Sequence, residues 1–171
     1  MVAAWGLGWI AMRTGDVIAA VTYTMNYRED PAWALGHIWS LSVEEQFYLL
    51  WPFLVLTFGR ARIVSVSAAM IVLAVGFRAI AWYHFHSDEL VEAAYPCVMD
   101  SIAVGCLLAG LRGRLDGARG YQRFLRSPLF LVVPIAVAIF QYPSRPELQY
   151  LLGTTFENLG IALIVDRSVR I

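Results

Sequence analysis

Two adjacent carboxylates, Glu44 and Glu45, stand at the head of an otherwise apolar run. A carboxylate at mid-bilayer costs about 2.5–3.5 kcal/mol, less near the interface, so a pair of them in such a run needs a reason. Carboxylates and imidazoles serve as general bases toward a hydroxyl, and serine hydroxyls serve as nucleophiles where a base stands at a defined spacing. Ser40 and Ser42 have no base at such a spacing, and Ser42 reads instead as a helix N-cap, with Glu45 three residues on completing a capping box. Glu44 and Tyr48 are one turn apart and can meet on one helix face. Pro52 frees the carbonyl of Tyr48, which predicts a kink or a bound polar group there. Arg78, Asp100 and Glu157 are further charges within apolar stretches. His84 and His86 are two imidazoles without a third ligand at metal-binding spacing, which reads as an interfacial loop and no metal site.

The elements that must position these groups follow from composition. Apolar residues make up 59% of the 171 residues and charged residues 15%, against about 45–50% and 25% in soluble domains. Lipid is therefore the expected solvent. Four stretches suit membrane helices: Ser42 to Phe58, Ile63 to Tyr83, Cys97 to Leu111 and Leu129 to Tyr142. A fifth, Leu148 to Val165, is less apolar because Thr154, Thr155, Glu157 and Asn158 lie inside it. The connectors alternate. Arg60 and Arg62 are followed by Asp88, Glu89 and Glu92, then by Arg112, Arg114, Arg119, Arg123 and Arg126, then by a near-neutral link, then by Arg167 and Arg170. Basic connectors belong on the cytoplasmic side, which places Asp88 to Glu92 outside. Met1 to Met12 is too short to cross, and Val17 to Tyr27 reads as an interfacial or re-entrant helix behind a partial one. The expected fold is all-α: a polytopic helix bundle of about five spans in the inner (plasma) membrane.

Smaller features agree. All 13 basic residues are arginine, which suggests a GC-rich bacterial source, and no basic domain exists to bind nucleic acid. Cys97 and Cys106 would be roughly 13 Å apart along one helix, too far for a disulfide. Met1 leads into an apolar run without a basic n-region or a small-residue cleavage site, so no signal peptide is expected within these residues. With five spans so oriented, Glu44, Glu45, Arg78 and Asp100 fall within about 9 Å of the outer end of their helices. Charges at one depth tend to face the bundle interior and pair. Such a cluster could bind a sugar hydroxyl or hold a catalytic histidine. The competing structural roles are a solvated Glu44, a capping Glu45, a snorkelling Arg78 and a capping Asp100.

The run His37-Ile38-Trp39-Ser40-Leu41-Ser42-Val43-Glu44-Glu45-Gln46-Phe47-Tyr48-Leu49-Leu50-Trp51-Pro52 resembles the central motif of the acyltransferase 3 family of bacterial membrane O-acyltransferases. Thr24-Met25-Asn26-Tyr27 resembles the Asn-Tyr element upstream of it. Arg78 resembles an arginine near the end of the next helix, and the run Met99 to Ala109 resembles a later Asp-x-x-x-x-Gly-x-x-x-Ala pattern. The resemblance implies transfer of an acyl group, commonly acetyl from acetyl-CoA with no resident cofactor, to a hydroxyl of a cell-surface carbohydrate or lipid-linked acceptor. It implies supporting roles for Glu44, Arg78 and Asp100, and substrate contacts for His37, Trp39, Ser40, Ser42, Glu45 and Tyr48.

Departures from the family set a further expectation. The family has about ten spans, and its first helix with the histidine taken to be catalytic has no counterpart here, nor does its closing helix. Residues 1–171 are thus expected to form one acyltransferase-like domain incomplete at both ends, inactive alone and dependent on the missing helices or a second chain. A transporter or binding subunit, with its charges marking a substrate pathway, is the alternative of another class. An inactive gene fragment is a third.

Overall fold

The computed structural model describes residues 13–140 and 146–171. Every regular element among them is helical. The principal helices are α1 (Thr14–Val21), α2 (Ile38–Phe58), α3 (Ile63–Ile80, extended by a wider turn Ala81–Phe85), α4 (Asp100–Gly117), α5 (Arg119–Arg126), α6 (Val132–Phe140) and α7 (Thr154–Arg170). The expected short helix within Val17 to Tyr27 is present as α1 and a 3₁₀ turn at Met25–Tyr27. Met1 to Met12 lies outside the described residues.

Breaks between helices have local causes. Gly59, at φ 76°, ends α2 in a conformation that favours glycine. His86 takes the left-handed conformation after α3. Ser87 then accepts a hydrogen bond from the Leu90 amide at 3.2 Å and starts the short helix Asp88–Ala93. Ser127 caps the turn before α6 in the same way, accepting from Leu129 at 3.1 Å. Met99 interrupts the expected third span, separating the short helix Tyr95–Val98 from α4.

Contacts fix the direction of each helix. Arg78, near the end of α3, meets Asp100 at the start of α4. Gly110, late in α4, faces Val64 at the start of α3. These two helices are therefore antiparallel. Phe140 stacks on Phe156 at 5.0 Å and Gly160 faces Val137 and Val133, so α6 and α7 form a second antiparallel pair. Arg170 reaches Asp116 at the end of α4, which makes α7 parallel to α4. The core between α2, α3 and α4 holds Phe47, Met70, Ala74, Met99 and Ala103, with Trp51 stacked on Phe47 at 5.2 Å.

Large apolar side chains are exposed along α2, α3, α6 and α7, among them Leu49, Leu56, Val72, Ile139 and Val169. The helix over Arg60–Phe85 is long and apolar enough to cross a membrane. Arg119–Arg126 and Pro128–Phe140 pass the same test only as a pair, bent by 71°. The described residues are all-helical as expected, whereas one clear span, or two with the bent pair, falls short of the expected five. The causes differ by helix: α4 carries Asp100, Arg112, Arg114 and Asp116, α2 is made less apolar by Glu44, Glu45 and Gln46, and α7 is only 17 residues long.

Candidate functional site

The most buried polar cluster is built from three helix ends. Arg78 and Asp100 are 1% and 0% exposed and form a forked ion pair, with Nη2 donating to Oδ2 at 2.9 Å and Nη1 to Oδ1 at 3.3 Å. Nη1 also donates to the Cys97 carbonyl at 2.9 Å. Thr155, on the first turn of α7, closes the cluster: its hydroxyl donates to Asp100 Oδ2 at 2.6 Å and accepts from Arg78 Nη2. Removing a guanidinium and a carboxylate from water is costly, and only this density of partners offsets it.

Of the expected outer cluster, the structure brings Arg78 and Asp100 together and leaves the two glutamates out. Glu44 is exposed and Glu45 half-buried on α2. Neither makes a hydrogen bond or ion pair among the described residues. Arg78 does not snorkel, and the Asp100 side chain faces the guanidinium rather than capping its helix. Tyr48 is exposed as well.

The expected capping box at Ser42 is absent, because α2 begins one turn earlier, at Ile38. Ser42 is fully buried, and its hydroxyl donates to the Ile38 carbonyl at 3.1 Å and accepts from the Met25 amide at 3.3 Å. The physical reason is that the buried Met25 amide needs an acceptor, and Ser42 supplies it from the neighbouring helix. Pro52 lies inside α2, which continues to Phe58 as expected. Glu157 is half-buried near the middle of the continuous helical stretch that runs from Pro146 through the wider turn Gln149–Gly153 into α7.

Asn26 and Gln46 match family motifs without a role, and Thr155 and Asp16 are not singled out from the sequence. Gln46 donates to the Tyr23 carbonyl at 2.6 Å and to Asn26 Oδ1 at 2.9 Å, while Asn26 donates to the Ala93 carbonyl at 3.2 Å. The segment from Ala93 to Cys97 thus joins the Asn26–Gln46 pair to the Arg78 cluster. Asp16, fully buried, accepts from Arg28 at 2.9 Å and 3.2 Å and from the Ala32 amide at 3.3 Å. The Arg28 hydrogen bond is the main reason its carboxyl is held below the usual range; burial opposes it and the Ala32 amide assists. The signal that could have found Thr155 and Asp16 is polarity inside or beside an apolar segment.

Above this framework lies a cleft of about 510 Å³ lined by Asn26, Tyr27, Glu29, Trp39, Phe85 and Glu92, among others. Trp39 is the one residue of the expected substrate set that lines it. His37 and Ser40 are exposed near it, and the Ser40 hydroxyl donates to the His37 carbonyl at 3.3 Å. An aromatic and carboxylate lining suits polar, ring-bearing ligands such as sugars. No group of three or more metal-ligating side chains occurs among the described residues.

Among curated proteins, the chain is similar to the O-acetyltransferase OatA of Staphylococcus aureus, in strains NCTC 8325 / PS 47, COL and MRSA252 alike. Each is 27% identical over 108 residues. The match takes in 55% of this chain and 18% of the relative, so the chain corresponds to under a fifth of that protein's length. No protein-family model matches the chain, and no solved structure does. The similarity supports an acyltransferase relationship without narrowing it to the acyltransferase 3 family.

Proposed function

We propose that this chain is part of a multi-pass inner-membrane O-acyltransferase of the acyltransferase 3 type, moving acetyl from acetyl-CoA to a hydroxyl of a cell-surface carbohydrate. The observation that carries the proposal is the similarity to a protein named O-acetyltransferase over 108 residues. Two features of the fold support it. The aromatic and acidic cleft offers a place for a sugar acceptor, and the Arg78 cluster beneath it is built to hold position.

In such a transfer the acceptor oxygen attacks the thioester carbonyl, the thiolate leaves, and a base removes the hydroxyl proton. Asp100 is a poor candidate for that base, since its oxygens already accept from Arg78 and Thr155. Arg78 and Asp100 are positioning residues that fix the segment from Ala93 to Cys97 against α3, α4 and α7. Glu44 is exposed on α2, outside the hydrogen bonds of that cluster, and keeps only a peripheral role. The base then comes from helices beyond this chain, supplied by a longer polypeptide or a partner.

The test is acetylation of a polysaccharide acceptor by purified chain in nanodiscs given labelled acetyl-CoA, alone and co-expressed with the N-terminal helices of a relative. Background turnover alone and transfer with the added helices is the expected result. Robust transfer by the chain alone that disappears in Glu44→Gln would move the catalytic centre onto α2, with His37 as its base. No transfer under either condition would overturn the assignment.

A further inference from the structure

The opposite end of the bundle gathers the chain's arginines. Arg112 and Arg114 end α4, and Arg119, Arg123 and Arg126 lie on α5, all of them exposed. None makes an ion pair or side-chain hydrogen bond among the described residues. The nearby acids are already engaged. Asp116 is held by Arg170, and Asp166 accepts from Arg170 Nε at 2.6 Å and from the Tyr121 hydroxyl at 2.7 Å. That carboxylate and, above all, burial push the Tyr121 phenol up to about 12, so it stays a neutral donor.

Helix α5 is sharply two-sided. At about 100° per residue, Arg119, Arg123 and Arg126 fall within roughly 60° of one another, opposite Tyr121, Phe124 and Leu125. Leu125 is fully buried and Phe124 lies 5.6 Å from Phe130, so the apolar side is fixed to the bundle. The arginine side faces away. The following helix, Pro128–Phe140, turns from α5 by 71° and exposes Leu129, Val132, Ile135 and Ile139. If those side chains meet lipid, α5 lies nearly in the plane of the membrane surface.

Beside α5 is a cavity of about 600 Å³ with two kinds of wall. Leu108, Val165 and Val169 make one side apolar, while Arg112 and Gln122 stand on the polar side with Asp116 and Asp166, the two carboxylates that Arg170 holds. Gln122 shares the α5 face that leads to Arg119. A soluble anion would have no use for the apolar wall, whereas a phospholipid fits both, with its acyl chain along Leu108 and Val165 and its phosphate at Arg112. Arg119 and Arg123, exposed on α5 outside the cavity lining, add positive charge on the same side of the molecule.

We propose that this end of the molecule is a binding site for an anionic phospholipid, such as phosphatidylglycerol. The site rests on the membrane reading above and is independent of the acyl transfer. Each exposed arginine near the surface favours an anionic over a neutral headgroup by about fivefold. Replacing Arg112, Arg119 and Arg123 with glutamine should lower that preference on the order of a hundredfold. These side chains are solvent-facing, so the triple variant should fold as the parent does.

The experiment is native mass spectrometry of the chain released from nanodiscs made of equal phosphatidylglycerol and phosphatidylcholine, with and without added coenzyme A. Retention of phosphatidylglycerol by the parent, its loss from the triple variant and its indifference to coenzyme A are expected. Equal retention of both lipids, or unchanged selectivity in the variant, would overturn the site. Displacement of the lipid by coenzyme A would reassign it to a soluble phosphate ligand. Failure of the chain to enter nanodiscs at all would overturn the membrane reading along with it.

Discussion

Thr155 Oγ1 donates to Asp100 Oδ2 across 2.6 Å, tying α7 to α4 between residues 55 positions apart. The same hydroxyl accepts from Arg78, so one small side chain balances a buried cation and a buried anion. Thr155→Val preserves shape and removes both bonds. It should destabilise the chain by about 1–3 kcal/mol, because the groups left behind are buried. Thr155→Ser should recover most of that loss. Thermal unfolding in detergent checks both, and a Thr155→Val variant as stable as the parent would remove Thr155 from the framework.

Arg78 and Asp100 should behave as a unit. Arg78→Met alone leaves an uncompensated buried carboxylate and should cost about 3–5 kcal/mol. The double change Arg78→Met with Asp100→Leu should restore much of the stability, since apolar pairs of similar volume replace buried ion pairs without large loss. If the pair only holds the fold, the double variant should also regain acyl transfer in the complemented assay. If transfer stays lost while stability returns, the charges themselves serve the reaction.

Helicity and the long apolar helix were legible in the sequence because they depend on local pattern. Ile63 to Tyr83 matches α3 and its extension closely, and the Arg-bearing connectors do gather at one end. The partnership of Arg78 with Asp100 was legible as well, from matched depth and opposite charge. What escaped was the choice among polar groups. Glu44 and Ser42 both stand in the motif, yet Ser42 is buried as a backbone acceptor while Glu44 faces outward. That outcome depends on which face of α2 meets the segment at Met25, which no period within α2 specifies. Thr155 escaped for a related reason: its partners are 55 and 77 residues away.

Gly160 tests the α6–α7 contact. A Cβ there would overlap Val137 Cγ2, on a β-branched side chain with little freedom to move. Small residues at helix crossings let backbones approach. Gly160→Ala should therefore destabilise by about 1–3 kcal/mol. Gly113→Ala on α4 meets nothing within 4 Å, and should be neutral or stabilising by up to about 1 kcal/mol. Equal effects at the two sites would show that α6 and α7 do not pack as described.

The Asp16–Arg28 pair carries a pH signature. The folded carboxyl is held below its unfolded value of about 3.9. Its stabilisation is therefore fully present above that value and is lost as pH falls through the lower, folded one. Asp16→Asn should unfold at a lower temperature than the parent at pH 6, and the gap should narrow as the pH is taken progressively below the unfolded value. A gap that stays constant over that range would mean that the pair contributes nothing through its charge.

The last prediction concerns orientation. Since α3 and α4 are antiparallel and α7 runs parallel to α4, Arg60, Arg62, Arg112, Arg114, Arg167 and Arg170 share one end of the bundle. Asp88, Glu89 and Glu92 stand at the other, beside the Arg78 cluster and the cleft. This arrangement comes from helix contacts alone, yet it matches the separation that charge bias produces in membrane proteins. The arginine end should face the cytoplasm and the cleft the outside, where a cell-surface acceptor would be met. Single cysteines at Glu89 and Gly120, both exposed, can be read in a background with Cys97 and Cys106 replaced by alanine. A membrane-impermeant maleimide added to intact cells should label position 89, and position 120 only after lysis. Labelling of position 120 from outside would invert the orientation and place the cleft on the cytoplasmic side, away from any surface carbohydrate.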